Sequence, residues 1–333
     1  MTSSLSARKA RWIDLYDGRR REVLLVHYWG EPSPLPRPLP FPGRVEERVA
    51  WSLAAYRRQV ELMEWLDDDA LPFLDPYTGT EIFARAFGCP AHLPENHMPF
   101  ALPRVRGARE ARGLKPPSLE HPALAEVIEI ADRLRAAEPG ALMRLPDIQS
   151  PFGIAALVWE KADFLAAMIL EPAAVKELAA MAEALLSDFL DLWFARYGHE
   201  CVAHHPAYYV PRGVTMSDDE AGAINAGMYA EFVLPGINRL SERHGRWLGI
   251  HCCAQARHQW PHFKALTGLS VLNLSQDSQA IMDAEAFFGD ACAHMHHPSG
   301  DGFVPRPGAR RIREAHAGSR EDAIRLCRER DPA

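Results

Sequence analysis

Two thiols and two imidazoles fall within the twelve residues Gly249–Trp260, GIHCCAQARHQW. Such a set can hold a metal ion, form a redox pair, or simply end a buried strand. Strand alternation narrows the choice. Residues two apart share a face, so His251 and Cys253 point together while Cys252 points the other way. Adjacent strand cysteines diverge and close at best a strained ring, which disfavours the redox pair. One imidazole and one thiolate make half of a zinc site, since zinc takes four nitrogen or sulfur ligands, or three plus a substrate. By the same alternation Cys292, His294 and His296 share a face, and Cys292 or His294 is expected to meet His251 and Cys253 across a barrel mouth. His258 reads as a further ligand, a proton shuttle or a capping residue.

The other short apolar runs also end in side chains able to bind or move protons. They end at His27, Asp75, Asp147, His204 with His205, Asn273, and His294 with His296. Any one alone is more often a satisfied polar group; their convergence at strand ends predicts an active site. Asp147 and His204 are expected to be catalytic, with His27, Asp75, Tyr77 and Asn273 contacting substrate. In the cluster Ser217-Asp218-Asp219-Glu220 the acids can cap a helix or serve the site. Asp218 is the candidate there, being nearest a strand end.

Positioning these groups requires strands alternating with helices. Seven runs read as strands, near residues 23–29, 71–75, 141–147, 201–205, 247–253, 269–274 and 292–296. Helical spacing falls at about 44–66, 121–137, 152–169, 172–197, 226–244 and 320–330. This alternation predicts βαβ units and a (β/α)8 TIM barrel in a single domain over 1–333, with the last strand missing or replaced. No strand is followed by a Gly-rich phosphate loop, so nucleotide-binding folds have no support. Proline at every second position from Pro32 to Pro42 makes 31–43 an extended loop, either a surface connector or a lid. Residues 89–120 read as irregular.

Composition removes other classes. Among 333 residues, 37 basic and 44 acidic side chains give a net charge of −7 with basic residues dispersed, against a nucleic-acid surface. No apolar run is long enough to span a bilayer and the first residues lack an apolar signal core, so a cytoplasmic protein is expected. Six scattered cysteines are too few for a disulfide scaffold.

The segments DPYTGTEIFARAFG, LPDIQSPFGIAALVW, SDDEAGAINAGMYAEFVLPGINRLSERHG and GIHCCA, in that order, resemble the uroporphyrinogen decarboxylase superfamily over roughly residues 10–300. The resemblance is nearest to its cobalamin- and coenzyme M-linked methyltransferase branch. It implies a (β/α)8 barrel with its site at the strand C-termini. In that branch a His-x-Cys pair and a distant Cys bind zinc, which activates a substrate thiol to attack a methyl group carried on a corrinoid. His251 and Cys253 match the pair. Cys327, in a helical pattern, is a poor match for the distant Cys, leaving Cys292 or His294 as substitutes. The decarboxylase branch instead uses an Arg-rich loop after the first strand and an Asp after the second. Asp75 approximates that Asp, but no Arg precedes Arg37 in the loop. The resemblance therefore implies a zinc-assisted methyltransferase acting on a small thiol or methylated substrate with a corrinoid-protein partner. The alternatives are a decarboxylase of uroporphyrinogen or another carboxylated substrate, and a non-catalytic module binding a corrinoid protein.

Overall fold

The computed structural model describes residues 2–31 and 35–329; residues 32–34 of the proline-rich loop lie outside the described residues. Eleven strands carry the argument: β1 (Glu22–Tyr28), β2 (Phe73–Leu74), β3 (Leu142–Arg144), β4 (Cys201–Val202), β5 (Tyr209–Val210), β6 (Val214–Ser217), β7 (Leu248–Cys252), β8 (Leu269–Asp277), β9 (Ala293–His294), β10 (His297–Ser299) and β11 (Arg311–Ala317). One sheet runs β1-β11-β9-β8-β7-β6 with β10 added to β8; another runs β2-β3-β4-β5. Every pairing among them is parallel except the β4–β5 hairpin.

Two seams join the sheets into a TIM-type barrel. A parallel bridge between Gln149 and Ser217 links the end of β3 to β6. At the other seam, carboxylates replace the carbonyls a neighbouring strand would offer. Leu24 N–H donates to Asp69 Oδ2 at 2.7 Å and Val26 N–H to Asp68 Oδ2 at 3.0 Å. Burying those charges is costly unless they are paired. Arg8, 1% exposed on the Leu5–Tyr16 helix, reaches Asp68 at 2.7 Å, and Arg11 pairs with Asp69.

The last strand is present, which corrects the expectation of a missing one. β11 pairs with β1 over seven residues, from Glu22↔Arg311 to Tyr28↔Ala317. Its sequence, RIREAHA, hides it. The outward face carries Arg311 and Arg313, both paired with Glu22, and the inward face carries Glu314 and His316. With polar groups on both faces the period-2 apolar signal vanishes. β6 was also unforeseen, being four residues long and flanked by turn residues.

The helices follow their apolar spacing, with local stops. Ser150 accepts from Gly153 N–H and Pro151 opens the Pro151–Val158 helix, which breaks before Lys161–Leu170 rather than continuing to 169. Asp277 caps Ser278–Phe288.

Register fixes which face each strand turns inward. Ser217, His251 and Asn273 are in register on β6, β7 and β8, as are Met216, Ile250 and Leu272, the last facing His294. In-register residues of neighbouring strands point the same way. Ser217, His251 and Asn273 therefore face the barrel axis, and Ile250, Leu272 and His294 face the helices.

Candidate metal and substrate site

His251 and Cys253 emerge together at the C-terminal end of β7, with Cys252 buried behind them, fully unexposed. Their third neighbour is Asp219. One ligand atom from each of Asp219, His251 and Cys253 lies within 4.8 Å of the others, the one such group of three among the described residues. His251 Nε2 is 4.0 Å from Asp219 Oδ1, which also accepts from Cys253 N–H at 2.6 Å.

The imidazole is held in a defined tautomer. Asn273 is fully buried, and its Nδ2 donates to Met295 O, which leaves Oδ1 facing His251 Nδ1 at 2.5 Å. An amide oxygen only accepts, so the proton is on Nδ1 and the lone pair on Nε2 points toward Asp219 and Cys253. Asn273, expected to contact substrate, stands behind His251, fully buried with both ends of its amide bonded to protein. Burial, then the Asp219 carboxylate, pushes the Cys253 thiol up to about 11. Unaided, it is not a thiolate at neutral pH; a cation beside it reverses that preference.

The remaining expected ligands are elsewhere. Cys292 and His294 do share a face, but it is the outward one: Cys292 is 1% exposed, and His294 Nε2 donates to Gly289 O at 2.8 Å while Nδ1 meets His296. His258 Nε2 donates to Ile224 O. Cys327, in the Arg320–Arg328 helix, packs with the apolar group behind β1 that includes Leu24 and Val26.

Asp218 also moves to a supporting place. It is 1% exposed, and its two oxygens accept from Ser150 Oγ at 2.8 Å and Tyr229 Oη at 2.7 Å. Burial raises its carboxyl to about 6 in spite of those bonds. Asp219 opens the Asp219–Ala223 3-10 turn that follows β6, and this turn brings its carboxylate to His251.

Beside this group lies a cavity of about 190 Å³ lined by Arg37, Asp75, Tyr77, Arg144, Asp147, His204 and His205, with Thr78, Met98 and Leu145. Asp147 keeps one oxygen available there, the other accepting from Gln149 Nε2 at 2.7 Å. Burial raises its carboxyl above the usual range although Arg144 and His251 lie near. Behind it Glu81 is 1% exposed with Oε2 unpartnered, and burial above all lifts its carboxyl to about 7.

His204 is held neutral by burial, its ring nitrogens on Thr215 Oγ1 at 2.7 Å and Ser217 Oγ at 2.9 Å. Buried and bonded at both ring nitrogens, His204 lines the cavity wall. Its exposed neighbour His205 sets its ring edge-to-face on His251, centroids 4.7 Å apart.

Asp75 is committed as well. Oδ2 accepts from Arg144 Nη1 at 2.7 Å and Oδ1 from Tyr77 N–H at 2.8 Å. Arg144 continues to Ala203 O and His204 O, tying three strand ends together. The Asp75 contact holds Tyr77 at a φ of 42°, a left-handed conformation unusual for an aromatic residue. That turn sets the Tyr77 ring under the Arg37 guanidinium, 4.5 Å away. Arg37, noted in the sequence as the loop's first arginine and given no role there, brings the proline-rich loop over the cavity. Glu314 went unnamed in the sequence; it accepts from His27 Nε2 and His297 Nε2 at 2.8 Å each.

Comparison with known proteins agrees with this geometry at the level of family and fold. The family model described as uroporphyrinogen decarboxylase (URO-D) matches residues 77–294. A solved methyltransferase from Methanosarcina mazei is similar with a TM-score of 0.66 at 12% identity, covering 97% of this chain and 98% of that one. No curated protein matches the chain in sequence.

Proposed function

The chain belongs to the uroporphyrinogen decarboxylase family, and from that premise we propose a zinc-assisted methyltransferase acting on a small thiol or methylated substrate, with a corrinoid protein as methyl carrier. The observation that carries the proposal is the convergence of Asp219, His251 and Cys253, a nitrogen, sulfur and oxygen set that zinc accepts while leaving a fourth position for substrate. Zinc, when bound, supplies a Lewis acid that lowers the pKa of a coordinated thiol. The chain's own residues do the rest. Asn273 fixes the His251 lone pair toward the ion. Asp147 takes or returns the substrate proton on its open oxygen, its raised carboxyl bringing it nearer the working pH. Arg37, flat on Tyr77, closes the cavity and meets an anionic group of the substrate.

Two features weigh against decarboxylation of a tetrapyrrole. Asp75, 6% exposed, already accepts from Arg144 and from the Tyr77 N–H, which points its carboxylate into the protein and away from a pyrrole N–H. The cavity is also smaller than the roughly 300–1,000 Å³ that encloses drug-sized ligands, which suits a small substrate. The fold shared with a solved methyltransferase supports the same choice.

Elemental analysis of protein purified without chelators tests the proposal. Zinc bound in the wild type and lost in His251→Ala and Cys253→Ser supports it. Retention of zinc by both variants refutes it, as does a wild type that binds none.

A further inference from the structure

We propose that the opening in the barrel wall between β1 and β2 is a binding site for a small uncharged arene, a molecule or group of one aromatic ring. The site is a cavity of about 300 Å³. Its walls come from Leu25 and His27 of β1, Met63 at the end of the Val45–Met63 helix, Phe73 of β2, Val202 of β4, and Tyr208. It shares no lining residue with the polar cavity beside the His251 group. The two are neighbours all the same: Phe73 lines one, and Arg144, 5.9 Å from the Phe73 ring, lines the other.

The opening is built into the seam. One sheet ends at β1 and the other at β2, with no ladder between them. Asp68 and Asp69 satisfy the β1 amides instead, so no strand carries side chains across the gap. Buried ion pairs hold the edges apart: Arg8 Nη1 donates to Asp68 and to Ala70 O at 2.9 Å, and Nη2 donates to Leu66 O. Tyr208 could have filled part of the space, but its hydroxyl lies against Gly249 of β7, where an added Cβ would sit 2.0 Å from it. Close-packed interiors hold few voids larger than a water molecule, and an apolar one forfeits contacts along its whole lining.

The lining selects the ligand. Arg8 and Asp68 cancel one another's charge, which leaves nothing to hold an ion. The Gln59 amide is engaged with both polar groups of Phe73, its Oε1 accepting from N–H at 3.2 Å and its Nε2 donating to O at 3.3 Å. A stable water needs two to four polar partners, which this lining supplies poorly. Trp12, Phe73 and Tyr208 offer three aromatic partners to a further ring. The volume stands at the lower end of ligand pockets, enough for a single ring and its substituents. His27 belongs to the cavity and, through Glu314, to the mouth, which gives a route of entry.

Isothermal titration calorimetry of the full-length protein with toluene tests the site, with benzoate as the charged counterpart of the same ring. One equivalent of toluene is expected to bind and to raise the thermal midpoint, and benzoate is expected to bind at least about tenfold more weakly. Leu25→Phe and Ala207→Leu fill the cavity from opposite walls and should weaken toluene binding about tenfold or more. Should either fail to fold by circular dichroism, Met63→Phe, on the half-buried helix side, gives the same reading. Toluene that does not bind up to its aqueous solubility overturns the proposal. So does equal binding by the folded filled variants, or benzoate binding as tightly as toluene. Cys253→Ser should bind toluene as the wild type does, so loss of zinc and loss of the arene site are read separately.

Discussion

Asn273→Leu removes the hydrogen bond that orients the His251 ring without touching a ligand atom. In the wild type Asn273 Oδ1 accepts from Nδ1–H and its Nδ2 is anchored on Met295 O, so the ring cannot present the wrong nitrogen at no cost. Leucine is close in shape but accepts nothing. The imidazole is then free to carry its proton on Nε2, the atom required for the ion. Loss of such an outer partner costs about 10–100-fold in metal affinity, equivalent to about 1.4–2.7 kcal/mol. Competition against a chromophoric zinc chelator measures this directly. Asn273→Asp separates orientation from folding. It still accepts from Nδ1–H and should bind zinc within a few-fold of wild type. It also sets a carboxylate against Met295 O, costing about 1–3 kcal/mol of stability in urea unfolding. The reasoning fails if Asn273→Leu binds zinc as tightly as wild type, or if Asn273→Asp loses as much affinity as Asn273→Leu.

Cys252 and Cys253 should separate cleanly: Cys252→Ala keeps its zinc and loses about 1 kcal/mol of stability from a small cavity, whereas Cys253→Ala loses the metal, as elemental analysis will show. Glu81 makes stability depend on pH. Its carboxyl is raised in the fold, so its contribution is complete below about pH 4.5 and is lost as pH rises through about 7. Across that window wild type should lose on the order of 3 kcal/mol relative to Glu81→Gln, and parallel urea curves at pH 5 and pH 8 would disprove this. Arg144→Met leaves the Asp75 carboxylate, 6% exposed, without its cation. A drop of about 3 kcal/mol in unfolding free energy is expected, together with looser ends of β2, β3 and β4 visible as faster amide exchange.

Alternation along a strand is a local property, and the amino-acid sequence alone determined it. It paired His251 with Cys253, separated Cys252 from both, and grouped Cys292 with His294; each relation holds in the structure. The alternation of strands and helices likewise determined a parallel barrel. What alternation cannot state is which face is inward, because that depends on register with strands far away in sequence. Tertiary structure decided that Cys292 and His294 face the helices, that Asp219 rather than Asp218 joins His251, and that Asn273 supports the ring from behind. It also decided how Asp75 is spent, since its partner Arg144 is 69 residues away. Glu314 was invisible for a related reason: a strand whose inward face is part of a polar site loses the apolar rhythm by which strands are recognised. The most chemically loaded strand of the barrel is thus the one its sequence conceals.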